Sequence, residues 1–454
     1  MTDDPGLDPL LGASGDDRAT APSSGRRTPG RRPPDRPRER SGDRPPERSR
    51  PDDELGDADP DTPARPDAAV IQRRRLAVGG AAAALLILVL VLVTRGGDND
   101  AGTGRADGTI RVDAWAPYWA FDRSIPDIEQ HGDLLHEVSP FVYLATGARQ
   151  VGLDPSADAA LVDQFIEDAR AQGIAVVPSI LDAMPAGGMA DVVTDPASRT
   201  AHVETIVALV EDGEFDGIDI DYEQFAFADD RESWSSTRPA FVAFIAELAA
   251  ALQPSGRTVT VSIPPVYDDG MTNASGYWVY DYAGLAEHVQ HIRVMAYDFS
   301  GQAAGPISPL DWVQRSIEGT VQAAGSPDKI VLGIPLYGNN VPVGTEGVCP
   351  PDAAIGRTAV TIRSVDDLIE RRDATPEYNA TNGEWSFLYP LEVTDGVTSC
   401  TQTRQVNYVD SDGARARIDL AIEAGLAGVS LWALGYEDDS LWLAIDPVVA
   451  RPDR

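Results

Sequence analysis

Three carboxylates at every second position mark the run FDGIDIDYE, residues 215–223. In an extended segment alternate side chains share a face, so Asp219, Asp221 and Glu223 line one side while Ile218, Ile220 and Tyr222 take the other. Neighbours in such a file lie about 7 Å apart along the strand. Between apolar flanks, like charges at that spacing push at least one acid above its ordinary pKa. A carboxyl that keeps its proton near neutral pH is a general acid. It can protonate a leaving oxygen, as hydrolysis of a glycosidic bond requires. Acid clusters also bind Ca²⁺ or Mg²⁺, so a divalent-cation site is the competing chemistry, and a solvated acidic strand end is the plain structural one. Asp216 falls on the opposite face from the file and reads as structural.

Such a file needs a frame that holds it at a mouth. Short apolar runs recur at residues 110–115, 138–144, 174–180, 215–223, 258–264, 291–298, 329–337 and 428–433. Between them lie stretches such as 158–172, 201–211 and 238–252, with apolar residues recurring at three and four, the mark of amphipathic helices. Strands that alternate with helices imply parallel pairing with right-handed crossovers, and eight such units close a (β/α)8 TIM barrel. The file then sits at the C-terminal end of the fourth strand, the catalytic end of this architecture. An open doubly wound sheet would want a glycine-rich loop after its first strand, but that strand leads into WAPYW.

One connection, from residue 338 to residue 412, is too long to be structureless. It holds the strand-like run 384–389 and both cysteines, Cys349 and Cys400. The expectation is a small α+β insertion, about 339–412, on the catalytic face. Two cysteines without metal-ligand spacing either pair as a disulfide in an oxidising compartment or remain small core residues, and the extracellular placement argued below favours a Cys349–Cys400 disulfide that pins the insertion. His288 and His291 lack a third ligand and read as surface or helix-end residues, so no metal is expected.

Over the whole chain, 72 Asp and Glu stand against 37 Lys and Arg, a formal net charge of −35. Residues 1–75 hold nearly equal numbers of both signs, so the acidic excess lies in the remainder. That argues against nucleic acid as a partner, because phosphate binding needs a basic surface. Residues 1–75 are crowded with Pro, Arg, Asp and Gly and lack the apolar clusters that offset ordering entropy, so they read as a disordered tail. Residues 76–94, LAVGGAAAALLILVLVLVT, carry no charge. As a helix they span about 28 Å, the thickness of a bilayer's hydrocarbon core. Arg73, Arg74 and Arg75 precede this transmembrane candidate and Arg95 follows it, which by the positive-inside bias leaves the N-terminus in the cytoplasm. A cleaved signal peptide is the rival reading, but the leader is long and no small-x-small site follows the run. The expectation is a single-pass protein of the cell membrane: a linker at 95–108, an extracellular barrel at 109–447 and a short tail at 448–454.

DGIDIDYE resembles the DGxDxDxE signature of family 18 glycoside hydrolases, the chitinase-like barrels. VMAYD, residues 294–298, resembles that family's Met-x-Tyr-Asp motif on the sixth strand, LGIPLYG at 332–338 its seventh strand, and GVSLWALG its eighth, ending in Trp432. The WAPYW opening is more similar to the cell-wall and spore-cortex N-acetylglucosaminidase branch. The resemblance implies hydrolysis of β-1,4 bonds in glycans containing N-acetylglucosamine, peptidoglycan or chitin-like, without a cofactor. It implies Glu223 as general acid and later base, Asp221 as the residue that orients the substrate's acetamido group, and Asp219 as a partner that shares the proton behind it. The acetamido oxygen, not an enzyme group, would be the nucleophile of a retaining reaction. Tyr297 would donate to that oxygen, Asp298 and Met295 would line its pocket, and Trp432 would form the apolar floor under the sugar. Met295 and Trp432 also read as ordinary core residues. Tyr118 and Trp119, at the end of the first strand, are candidates for sugar stacking. The third strand departs from the family's Ser-x-Gly-Gly, reading PSILD with Ser179, Ile180 and Leu181, which bears on the shape of the cleft. The alternative is a lectin-like barrel that binds such glycans without cutting them. Non-catalytic relatives typically lose the terminal Glu of the motif, and this chain keeps Glu223.

Overall fold

The computed structural model describes residues 108–267, 276–351 and 356–452. Strands β1 (Arg111–Pro117), β2 (Glu137–Gly147), β3 (Gln150–Leu153), β4 (Ala175–Val176), β5 (Ser179–Asp182), β6 (Gly217–Asp221), β7 (Thr258–Ile263), β8 (His291–Val294) and β9 (Ile330–Pro335) precede a second set. That set is β10 (Tyr337–Gly347), β11 (Thr358–Thr361), β12 (Glu377–Asn379), β13 (Glu384–Thr394), β14 (Ser399–Tyr408) and β15 (Gly428–Trp432). Parallel pairing runs β1-β15-β9-β8-β7-β6-β5-β2, and β1 also pairs with β2, so the sheet closes into an eight-stranded barrel. These strands are buried on both faces, which is why they read as near-continuous apolar runs such as IVLGIP.

Helices wrap the barrel by burying one stripe. The helix Ala159–Ala171 buries Val162, Phe165, Ile166 and Ala169, and the Asp158 side chain accepts the Ala160 N–H at its start. Asp195 caps Pro196–Asp212 in the same way, with Pro196 in the first turn, where its missing N–H costs nothing. Gly217 opens β6 because a Cβ there would lie 2.1 Å from the Thr258 hydroxyl and 2.5 Å from the Thr258 carbonyl oxygen.

Several local expectations are corrected. The third apolar run is interrupted at Val177 and Pro178, because a proline has no N–H to give the ladder, and becomes β4 and β5. The fourth and sixth strands end early, at Asp221 and Val294, as the chain turns into the site. His291 opens β8 and is buried, not a surface residue. Val448, Val449 and Ala450, assigned above to a tail, are buried; the Val448 carbonyl accepts from the Ile110 N–H and the Ala450 N–H donates to the Ile110 carbonyl at the foot of the barrel.

The insertion is an antiparallel sheet, β11-β10-β14-β13-β12, with the helix Ile362–Arg372 and its own small core of Val360, Val365, Leu368, Phe387, Tyr389, Val406 and Tyr408. It begins directly after β9. A Cys349–Cys400 disulfide closes the far end of the β10–β14 pair. At its near end Glu384 accepts the N–H groups of Ile307 and Ser308 and meets the buried Arg417 at 3.1 Å, fastening the lobe to the barrel. No helix among the described residues is long and apolar enough to cross a membrane. The candidate span 76–94, the N-terminal tail and most of the linker lie outside the described residues.

Candidate active site

Asp219 and Asp221 belong to β6, so strand alternation places both. Glu223 lies beyond the strand with helical backbone angles, φ −98° and ψ −21°, at the head of the short helix Gln224–Phe227. The turn, not the period of a strand, therefore aims it. Asp182, the last residue of β5, holds that turn: its two carboxylate oxygens accept the N–H groups of Glu223 and Gln224, each at 3.1 Å. Gln224 Nε2 returns a bond to the Asp182 carbonyl at 2.6 Å. From behind, Tyr280 donates to the Tyr222 carbonyl at 2.7 Å. The Tyr222 hydroxyl lies 2.6 Å from His202 Nε2. His202 Nδ1 faces the Ala148 carbonyl, which only accepts, so Nδ1 carries the proton and Nε2 accepts from Tyr222. Burial lowers the His202 pKa to about 4 and keeps the imidazole neutral.

The three acids have different surroundings. Donors converge on Asp219: Trp115 Nε1 at 3.2 Å, Ser179 Oγ at 2.6 Å, Ser262 Oγ at 2.9 Å and Arg293 Nη1 at 3.4 Å. Asp221 is buried, and its Oδ1 has no hydrogen-bond partner among the described residues. Burial, followed by the charges of Glu223, Asp219 and Asp182, pushes the Asp221 carboxyl well up, with Arg293 opposing. Glu223 is partly exposed at the mouth. Its carboxyl is raised to about 7, first by burial and then by Asp298.

Met295, Tyr297 and Asp298 follow the end of β8. Tyr297 faces the acids, whose charges, behind burial, raise its hydroxyl well above the usual range. Its ring stacks at 6.4 Å from that of Trp432, the last residue of β15. Trp432 is 9 % exposed, edge-on to Trp115 and Phe141 at 5.8 and 5.0 Å, so most of its plane packs and only part can face a ligand. Gly333 makes room for this arrangement, since a Cβ there would lie 2.9 Å from the Tyr297 ring. Asp298 takes a left-handed φ of 56° and accepts from Tyr337 at 2.7 Å. Arg357, from the inserted lobe, reaches it at 3.4 Å. Met295 is partly buried beside this turn. Tyr118 and Trp119 occupy a turn after β1. Trp119 donates to the Tyr436 hydroxyl at 2.9 Å and packs on Phe141, which joins it to Trp432. Among the described residues, no His, Cys, Asp and Glu side chains group in a way that could hold a metal ion.

Asp182 and Arg293 are among the residues of this site that escaped the sequence reading. Asp182 is the last letter of PSILD, the departure already noted, and a polar residue at a strand end was its signal. Arg293 lies inside the apolar run HIRVMAYD, where an arginine has to find a buried partner.

The family profile of glycosyl hydrolases family 18 matches residues 114–437. The cortical fragment-lytic enzyme of Bacillus anthracis is 24% identical over 329 residues, 70% of this chain and 71% of that protein. Mouse chitotriosidase-1 is 24% identical over 270 residues, 55% of each. YdhD of Bacillus subtilis, which bears the name of a sporulation-specific glycosylase, is 27% identical, and the match spans about half its length (52%). A class V chitinase from Pseudomonas fluorescens superposes with a TM-score of 0.62 at 23% identity, over 75% of this chain and all of the other. That likeness attests the barrel. With the profile matched from β1 to the loop after β15, the chain belongs to glycosyl hydrolases family 18.

Proposed function

We propose that this glycosidase cleaves β-1,4 linkages of glycans containing N-acetylglucosamine, peptidoglycan or chitin-like, by a retaining reaction in which the substrate's acetamido oxygen is the nucleophile. The observation that carries the reading is the division of labour among the acids. Glu223, partly exposed and raised to about 7, keeps a proton for the leaving oxygen under neutral conditions. The unpartnered Oδ1 of Asp221 is an acceptor suited to the acetamido N–H. Tyr297, whose neutral hydroxyl faces the same space, supplies a donor for the acetamido oxygen. Trp432 offers the apolar face on which a sugar ring rests. After bond cleavage, Glu223 takes the proton of the water that opens the cyclic intermediate, restoring itself. The apolar run 76–94 supports a further part of the proposal, a single-pass anchor with the N-terminus inside and the barrel outside the cell.

Purified full-length protein is incubated with peptidoglycan and with chitin oligosaccharides beside Glu223→Gln, with products read by mass spectrometry. Fragments ending in reducing N-acetylglucosamine, released by the parent alone, identify the reaction and its glycan. Binding without release by both proteins overturns the proposal.

A further inference from the structure

At the foot of the barrel, where Arg111, Glu137, Thr258 and His291 begin their strands, a cavity of about 470 Å³ lies at the end opposite Glu223. That volume falls among those of small-molecule sites, about 300–1,000 Å³. Its inner wall is electrically closed. Glu137 accepts from Arg111 at 2.9 Å and from Arg293 at 2.5 Å, while Asp113 accepts from Arg111 at 3.0 Å and lies 4.0 Å from Arg293. Two cations thus face two carboxylates, the pairing that buried charges require, and this quartet has no charge to spare for a ligand.

The charges in front of that wall are not paired. Gly217 and Thr258 are partners across β6 and β7, so the residues before them, Asp216 and Arg257, are neighbours at the foot. Among the described residues no ion pair joins them or holds either one. Asp216 turns toward β4, where one of its oxygens accepts the Val176 N–H at 2.8 Å, and its other oxygen has no hydrogen-bond partner among the described residues. Arg257 Nε is buried without a partner, and so is the hydroxyl of Thr258 beside it. His291 is 8 % exposed, lines the same cavity, and its ring makes no hydrogen bond among the described residues. Burial lowers its pKa to about 4, so near pH 7 the imidazole is neutral, able to donate through one nitrogen and accept through the other. Glu214, exposed at the rim, adds a second anion on the β6 side. Buried polar groups seldom go unpaired, and here the donors collect ahead of β7 while the carboxylates collect ahead of β6.

We propose that this cavity is a binding site for a free amino acid, whose carboxylate is held by Arg257, Thr258 and His291 and whose ammonium group is held by Asp216 and Glu214. A ligand with a single charge is poorly served: an anion meets the two carboxylates, and a cation meets Arg257. A zwitterion satisfies both sides at once, with the guanidinium fork matched to its carboxylate. The site stands at the opposite end of the barrel from the acids and does not depend on the cleavage reaction.

Full-length parent, Arg257→Gln and Asp216→Asn proteins are titrated with alanine, and the parent also with acetate and with ethylammonium, each of which carries one of alanine's two charges. Binding is read by calorimetry and by the imidazole proton resonance of His291, assigned with His291→Gln. The expected result is saturable binding of alanine that shifts this resonance, with acetate and ethylammonium weaker by about tenfold or more. Arg257→Gln weakens alanine by about tenfold, and Asp216→Asn, which keeps an acceptor for the Val176 N–H at the more exposed side, by about threefold. Alanine that does not bind, or binds no better than acetate, overturns the proposal and leaves a hydrated cavity or a plain anion site. Binding that leaves the His291 resonance in place and is indifferent to both substitutions overturns it as well, since the amino acid then sits elsewhere. If either variant fails to fold, the three probes on the parent decide alone.

Discussion

Glu223 occupies a position that no strand enforces, and its aim depends on two backbone bonds to Asp182. Replacing Asp182 with Ala leaves the proton donor chemically intact but its turn unanchored. A misplacement of about 1 Å at a reacting group can cost about 100-fold. The expected outcome is a fall in kcat of about 10- to 100-fold with KM little changed, checked by steady-state kinetics on a defined oligosaccharide. An unchanged kcat would show that the turn holds itself. Glu223→Gln removes the proton outright and lowers the rate by about 100-fold or more, with binding retained. The pH sense follows from its surroundings. A general acid works protonated, and burial with Asp298 raises this one to about 7. Activity of the parent should therefore decline as pH rises through about 7. A basic limb near the ordinary carboxylate value would mean that another group is the donor.

The elements explain why part of this site could be read in the sequence. Alternation along β6 puts Asp219 and Asp221 on one face, and the apolar runs between helical stretches gave the eight barrel strands. Period alone could not register where a strand stops. β6 ends two residues before Glu223 and β8 ends before Met295, because the chain must turn into the site, and turns of this kind are set by tertiary partners such as Asp182 and Tyr337. Arg293 stayed hidden because its meaning lies in residues from β1, β2 and β6, far apart in sequence. The inserted lobe was legible from loop length and its two cysteines, while its order, β11-β10-β14-β13-β12, follows from long-range pairing. Its disulfide closes a loop of sequence separation 51. Chain entropy alone makes such a bridge worth about 4 kcal/mol. Cys400→Ser should accordingly speed hydrogen exchange across β10 and β14 while the barrel strands keep their protection. Uniform loss of protection in lobe and barrel would argue that the two open as one unit.

For the whole molecule, the question is where the barrel works. The run 76–94 is apolar enough to span a bilayer. Residues 95–108 between it and the barrel reach at most about 50 Å when fully extended. An enzyme held so close to a membrane meets only the glycan nearest that surface. A protein released from the membrane samples any glycan in the medium. The two arrangements separate in a fractionation experiment. With an anchor, the full-length chain stays in the membrane fraction through high-salt and alkaline washes. Protease added outside intact cells then digests the barrel but spares the tail before Arg73. Deleting residues 76–94 moves the chain out of the membrane fraction altogether. Removal of a signal peptide would instead yield a shortened chain in the medium with its N-terminus after residue 94, and N-terminal sequencing of the secreted material would reveal it. Neither result alters the chemistry argued for Glu223, but the first limits its substrate to the innermost layer of the envelope and the second does not.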